Sequence, residues 1–173
     1  MRTFAAAVLA LAASSTLAAA QPSQPGPPKP SLPPPPAVPG YHIAGIHAFL
    51  YFHQDGSFDT KDLTAGGVAL WNTIIGEGDA QHPSNTMLVK VDIGGPSFSN
   101  IDGKVTVVAK AGKRTLAKQV FELGDYFHEH GRVVTVPLIV TDVGCDEVKL
   151  TATLSGMGKR GSATAIVPFA CGE

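Results

Sequence analysis

Two histidines separated by one residue, His128 and His130, occur in the segment LGDYFHEHGR. Residues at i and i+2 of an extended chain project to the same face, so both imidazoles could point at one metal ion. Imidazole is a preferred protein ligand of zinc and copper. Two further histidines, His47 and His53, share one face of an earlier predicted strand and are candidates to complete the ligand set. The pattern predicts a copper or zinc site if folding brings these residues together.

The position of this histidine pair favours a simpler interpretation. It lies between Gly124 and Gly131 and joins two predicted strands, so we expect it to form a hairpin loop. Polar residues in surface loops are normally solvated. We therefore treat metal binding as the alternative, and expect a protein without a cofactor.

A second candidate site is the irregular segment 68–85, VALWNTIIGEGDAQHPSN, which contains the single tryptophan of the chain, Trp71. In a recognition loop, Trp71 would be an aromatic anchor for a protein or a platform for a sugar. Three polar residues of the loop would then be its partners: Glu77, Asp79 and His82. The alternative is that Trp71, Ile74 and Ile75 fill the core and the remaining residues form a solvated turn.

Catalytic signals are weak. Glycoside hydrolysis requires two carboxyl groups separated across a cleft, whereas Glu77 and Asp79 are two residues apart on one loop. The sequence has no Gly-x-Ser-x-Gly motif, and we expect its two cysteines to be paired. A binding role is therefore favoured over catalysis.

Short runs rich in β-branched residues position these candidates. In TMLVKVDI, residues 86–93, the side chains Met87, Val89, Val91 and Ile93 alternate with more polar ones. Six similar runs are separated by glycine- and aspartate-rich turns: YHIAGIHAFLYFH, KVTVVAK, TLAKQVFEL, RVVTVPLIV, VKLTATL and ATAIVPFA. This pattern predicts antiparallel strands. We expect an all-β, Ig-like antiparallel β-sandwich of about seven to eight strands with one disulfide.

The spacing of Cys145 and Cys171 supports the last of these strand pairs. A hairpin that turns near Gly158 places residues whose numbers sum to roughly 316 opposite each other, and the two cysteine numbers sum to 316. We therefore predict a Cys145–Cys171 bridge at the open end of this hairpin.

The N-terminal residues predict export. Residues 1–20 have a basic residue, an apolar run and a small-residue cleavage site, as in a secretory signal peptide. Residues 21–40 contain ten of the 14 prolines and predict an extended linker. Residues 41–173 form the predicted sandwich domain, located in the periplasm or secreted, with no membrane span after cleavage.

The charge of the chain excludes one class of partner. The net charge is −1 and basic residues occur at most in pairs, so the sequence predicts no nucleic-acid binding. The function we expect is an exported, non-catalytic binding module on a proline-rich tether. Its partner would be an extracytoplasmic protein or glycan.

Overall fold

The computed structural model describes residues 40–96, 102–126, 133–156 and 161–172. The chain divides into two units, Met1–Pro35 and Pro36–Glu173. The predicted signal peptide and nearly all of the predicted linker lie outside the described residues, as do His128 and His130. Within the described residues, no helix is long and apolar enough to cross a membrane.

The described residues form eight strands in two antiparallel four-stranded sheets. The strands are β1 His42–Phe52, β2 Ser57–Phe58, β3 Thr86–Gly94, β4 Gly103–Ala111, β5 Arg114–Glu122, β6 Val133–Thr141, β7 Val148–Gly156 and β8 Gly161–Val167. Sheet 1 has the order β2-β1-β3-β6 and sheet 2 the order β5-β4-β7-β8. The predicted all-β sandwich is confirmed.

The core lies between the sheets because each strand directs alternate apolar side chains inward. Four inward residues of β3 are fully buried, namely Met87, Val89, Val91 and Ile93. Sheet 2 contributes a matching set from its two central strands: Val105, Val107, Ala109, Leu150, Ala152 and Leu154. A side chain on a strand therefore faces either this core or the outer surface of its sheet.

The register of β1 differs from simple alternation at its start. The pairing of β1 with β3 shifts between Ile43 and Gly45, which marks a β-bulge. Ala44, which alternation places on the core face, is consequently exposed, whereas Ile46 is buried. Simple alternation therefore identifies the core face of β1 only beyond the bulge.

The strand order is Ig-like. Among the seven long strands, the first, second and fifth share sheet 1, and the third, sixth and seventh share sheet 2. The fourth, β5, pairs with β4 and not with β6. The chain between β5 and β6 therefore passes from sheet 2 to sheet 1, starting with the 3-10 turn Leu123–Asp125. Our prediction of a hairpin loop around His128 and His130 is wrong, because hairpin strands must belong to one sheet.

The hairpin of β7 and β8 is confirmed with a register one residue from the predicted one. Lys149 pairs with Ile166, not with Val167. Cys145 and Cys171 form the predicted disulfide, and their Cα atoms are 4.6 Å apart. The last strand ends at Val167, earlier than predicted, since Pro168 has no N–H to donate. Beyond it, Ala170 forms an isolated parallel bridge with Trp71.

Candidate functional site

The segment 68–85 lies between β2 and β3, two strands of sheet 1. Backbone hydrogen bonds fix it to the C-terminal residues. The Asn72 N–H donates to the Ala170 carbonyl over 2.8 Å, and the Ala170 N–H donates to the Leu70 carbonyl over 3.0 Å. Leu70 and Thr73 are buried and anchor the segment to the domain. The loop therefore has a defined shape despite its lack of regular structure.

Asn72 organises the tip of this loop. Its φ of 49° lies in the left-handed region, which asparagine tolerates better than most residues. Its side-chain amide donates to Glu77 Oε2 over 2.8 Å, and its side-chain oxygen accepts from the Gly172 N–H over 3.1 Å. One side chain thus joins both halves of the loop to the C-terminal segment.

Three large apolar side chains within five residues are exposed on this loop. The exposed fractions are 47% for Trp71, 43% for Ile74 and 61% for Ile75. We call these three residues the Trp71 ridge. The core-filling interpretation of these residues is wrong, because Leu70 and Thr73 occupy the buried positions instead.

The ridge lies beside the disulfide. A Cβ atom at Gly172 would clash with the Trp71 indole, and one at Gly144 would be 2.6 Å from Ile74 Cγ2. These two glycines are the sequence neighbours of Cys171 and Cys145, respectively. The ridge therefore packs against backbone that the disulfide crosslinks, and larger residues at either glycine would displace it.

The two acids of the loop are engaged in holding it together. Glu77 accepts the Asn72 hydrogen bond. Asp79 accepts from the Ala69 N–H over 2.8 Å and pairs with the Lys61 ammonium at 3.2 Å. The Ala69 hydrogen bond and the Lys61 charge lower the pKa of Asp79. This arrangement suits a structural carboxylate and gives no acid–base pair for catalysis.

His82, the fourth predicted binding residue of the loop, is associated with a different part of the surface. Its ring makes an edge contact with Phe52, with the ring centroids 5.3 Å apart. Of the four predicted residues, Trp71, Glu77 and His82 are exposed and Asp79 is half-buried. The structure adds Ile74 and Ile75 as exposed neighbours.

The described histidines of sheet 1 do not form a metal site. His47 Nδ1 lies 2.6 Å from Asp62 Oδ2, and its Nε2 lies 3.5 Å from Asp92 Oδ2. His53 bonds to the Thr86 hydroxyl over 2.9 Å. Among the described residues, no group of three histidines, cysteines or acids could hold a metal ion.

His53 lies at the far end of sheet 1 from the first residue of β6. Val133 pairs with Gly94, the partner of His42, whereas His53 follows the opposite end of β1. His128 and His130 lie outside the described residues, so their grouping with His47 and His53 stays a prediction.

Asp62 links the loop after β2 to β1. Its Oδ1 accepts hydrogen bonds from the Ala48 N–H and from both the N–H and the hydroxyl of Thr64. Burial alone would raise the pKa of Asp62, but the His47 contact and these hydrogen bonds lower it overall. The Asp-x-Thr pattern is a local turn signal that could have indicated this role.

Comparisons with known proteins identify no family for this chain. No family model matches it, and no curated protein matches it. A crystal structure of a putative beta-galactosidase from Bacteroides fragilis aligns with a TM-score of 0.36 and 10% identity. The alignment covers 48% of this chain and 14% of that one. A similarity of this size carries no information about the activity of this chain.

Proposed function

We propose that this protein is an exported, non-catalytic binding module that uses the Trp71 ridge to hold a partner outside the cytoplasm. The proposal rests on one observation, the exposure of Trp71, Ile74 and Ile75 on a loop with a defined shape. Tryptophan is one of the residues enriched among energetically dominant interface positions. Export follows from the predicted signal peptide, and the disulfide is compatible with an oxidising compartment.

The fixed shape of the loop supports binding on physical grounds. Ordering a flexible loop on association costs free energy that would otherwise strengthen the complex. Here Asn72, the Ala170 backbone bonds and the disulfide hold the loop before any partner arrives. The ridge is therefore preorganised for contact.

The chemistry of the ridge favours a protein partner over a glycan. Isoleucine side chains contribute apolar area and no hydrogen bonds, whereas sugar hydroxyls require polar partners. Both nearby acids already accept hydrogen bonds within the loop. An apolar patch on an extracytoplasmic protein matches this surface best.

Intrinsic fluorescence tests the proposal directly, because Trp71 is the sole tryptophan of the chain. We expect its emission to shift to shorter wavelength when an envelope protein that binds is added, since binding removes water from the indole. Cell-wall glycans should produce no shift. An emission spectrum that responds to no envelope protein, or that is already blue-shifted in the unbound protein, would contradict the proposal.

A matched pair of variants distinguishes the ridge from general surface hydrophobicity. Ile75→Ser should weaken partner binding about tenfold or more, as expected for truncation of an anchor residue. Ile139→Ser changes an isoleucine of similar exposure (51%) on β6 and should leave affinity unchanged. Equal losses for both variants would assign binding to another surface.

Copper or zinc binding by His128, His130, His47 and His53 has weaker support. Both ring nitrogens of His47 have carboxylates nearby, and His53 bonds to the Thr86 hydroxyl. Metal analysis after exposure to each ion and desalting tests this alternative, with a His128→Ala/His130→Ala variant as the control. Stoichiometric metal that disappears in this variant would establish the metal site.

A further inference from the structure

The outer face of sheet 2 contains a depression of about 400 Å³ that is rich in lysine. On β4 and β7 its lining residues alternate with buried ones, so they point away from the core. We call this surface the lysine face, and its residues are Val108, Lys110, Thr115, Lys118, Lys149 and Thr151. It involves strands β4, β5 and β7.

The three lysines are placed close together by strand register. Lys110 pairs directly with Lys149 across β4 and β7, so their Cβ atoms are about 4.5–5.5 Å apart. Lys118 pairs with Val108, two residues away from Lys110 along β4. Like charges placed directly opposite each other destabilise a sheet. The arrangement therefore has a cost that folding alone does not explain.

The described part of the protein does not neutralise these charges. The ion pairs of sheet 2 residues are Lys104 with Glu122 and Arg114 with Asp142. No described carboxylate forms an ion pair with Lys110, Lys118 or Lys149. The lysine face is thus a local excess of positive charge on a chain whose net charge is −1.

The usual structural explanation for lysine on a sheet accounts for one of the three residues. Lysine on an edge strand prevents edge-to-edge aggregation. This applies to Lys118, since β5 is an edge strand. It does not apply to Lys110 and Lys149, because β4 and β7 are the central strands of sheet 2.

We propose that the lysine face binds an acidic polysaccharide, a polymer of sugars that carry carboxylates. Ammonium groups attract carboxylates without demanding one fixed geometry. The Thr115 and Thr151 hydroxyls can donate to and accept from sugar hydroxyls. The Val108 side chain, half-buried at the centre of the face, offers an apolar contact to a sugar ring.

The composition of the face argues against nucleic acid. Proteins that bind single-stranded nucleic acid stack the bases on aromatic side chains, and no lining residue is aromatic. Lysine also binds phosphate as a point charge, so polyphosphate is a competitor that the experiment must include. This surface is distinct from the Trp71 ridge, so the proposal does not depend on the proposed function.

Calorimetric titration with an oligomeric polyuronate tests the proposal without relying on Trp71. We expect binding that weakens as salt rises from about 20 mM to about 200 mM, because the Debye length shortens over this range. The carboxyl-reduced form of the same oligomer, which has no charge, should not bind. Absence of polyuronate binding at low salt, or equal binding of the reduced form, would overturn the proposal.

Two triple variants with the same change in net charge locate the site. Lys110→Gln/Lys118→Gln/Lys149→Gln should weaken polyuronate binding about tenfold or more, because these charges act at contact distance. The control, Lys61→Gln/Lys90→Gln/Lys104→Gln, removes lysines that have partners in Asp79, the Phe49 ring and Glu122. It should change affinity by less than about twofold. Equal losses in the two variants would show that net charge alone attracts the polymer.

Two further measurements complete the test. Thermal unfolding of the first variant should show a midpoint equal to or above that of the unmodified protein, since the variant removes cross-strand repulsion. A loss of affinity would then report the site and not misfolding. Polyphosphate and single-stranded DNA of matched length should bind more weakly than polyuronate, and tighter binding of either would overturn the assignment to an acidic polysaccharide.

Discussion

The Trp71 ridge and the lysine face expose their side chains in two different ways. The ridge belongs to an irregular loop, where Asn72, a bridge to Ala170 and the disulfide maintain the shape. The lysine face belongs to regular strands, where alternation alone directs the lysines outward. The first surface depends on a few specific contacts and the second on the whole sheet. Single changes should therefore disrupt the ridge while leaving the lysine face intact.

Removal of the disulfide should have the largest effect and should separate the two surfaces most clearly. In the chain-entropy model, a disulfide between cysteines 26 positions apart contributes about 3.5 kcal/mol to the free energy of unfolding. Cys145→Ser/Cys171→Ser should lower the free energy of unfolding by roughly that amount. Urea unfolding measures the loss. Under native conditions, Trp71 should become more accessible to a soluble quencher, because the C-terminal segment is released.

The lysine face provides the control for this variant. Its affinity for polyuronate should change by less than about twofold, because strand register, and not the disulfide, places its lysines. If Trp71 becomes more accessible and polyuronate affinity falls as well, the two surfaces belong to one cooperative unit and are not independent.

Substitution of Asp62 should reduce stability and affect neither surface. Asp62→Ala removes the acceptor of three hydrogen bonds and the His47 contact. We therefore expect the free energy of unfolding to fall by about 1–3 kcal/mol. Partner binding and polyuronate binding by the folded protein should not change. A selective loss of either binding activity would assign Asp62 to that surface.

The same residue predicts a dependence of stability on pH. The folded state lowers the pKa of Asp62. Its stabilising effect is therefore present above the ordinary value of about 3.9 and is lost as the pH falls through the folded-state pKa. Urea unfolding at decreasing pH should show a smaller acid-induced loss for Asp62→Asn than for the unmodified protein. Identical pH profiles would contradict this assignment.

Asn72→Ala should act on the ridge alone. It removes hydrogen bonds to Glu77 and Gly172, so we expect the free energy of unfolding to fall by about 1–2 kcal/mol. Quenching of Trp71 should increase and polyuronate binding should not change. Asn85→Ala is the matched control, because the Asn85 side chain makes a single contact with Thr86. If a soluble quencher reduces Trp71 fluorescence equally in both variants, Asn72 does not organise the loop.

The smallest effect, with the opposite sign, should come from the lysine face. Lys110→Gln/Lys149→Gln removes a repulsive cross-strand pair and should stabilise the domain by about 0.2–1 kcal/mol. Lys104→Gln, which breaks the exposed ion pair with Glu122, should leave stability unchanged or slightly lower. A clear destabilisation by the double variant would mean that the lysine stems pack favourably on the sheet and that the charges carry no net cost.

The local patterns of the sequence predicted the strands well. Alternation identified the core face of β3, and the cysteine spacing identified the β7–β8 hairpin to within one residue. These features depend on neighbours in the chain or on a single turn. The bulge that exposes Ala44 depends on how β1 pairs with β3, so alternation within β1 could not reveal it.

The candidate sites were harder to predict because they depend on contacts between distant segments. The sequence indicated Trp71 as a candidate recognition residue but favoured a core-filling role for it. Its exposure is decided by Leu70 and Thr73, which occupy the buried positions of the same loop. The lysine pair escaped notice because Lys110 and Lys149 are 39 positions apart and meet only through strand register.

By itself, the sequence determined the fold class and the disulfide, and it predicts that the chain is exported. These follow from alternation, spacing and composition, which act over short stretches. The tertiary structure decided which loops connect which sheets, which apolar residues remain exposed and which charges lie opposite each other. These depend on the pairing of segments far apart in the chain, where side-chain packing and register select one arrangement among many with the same local pattern.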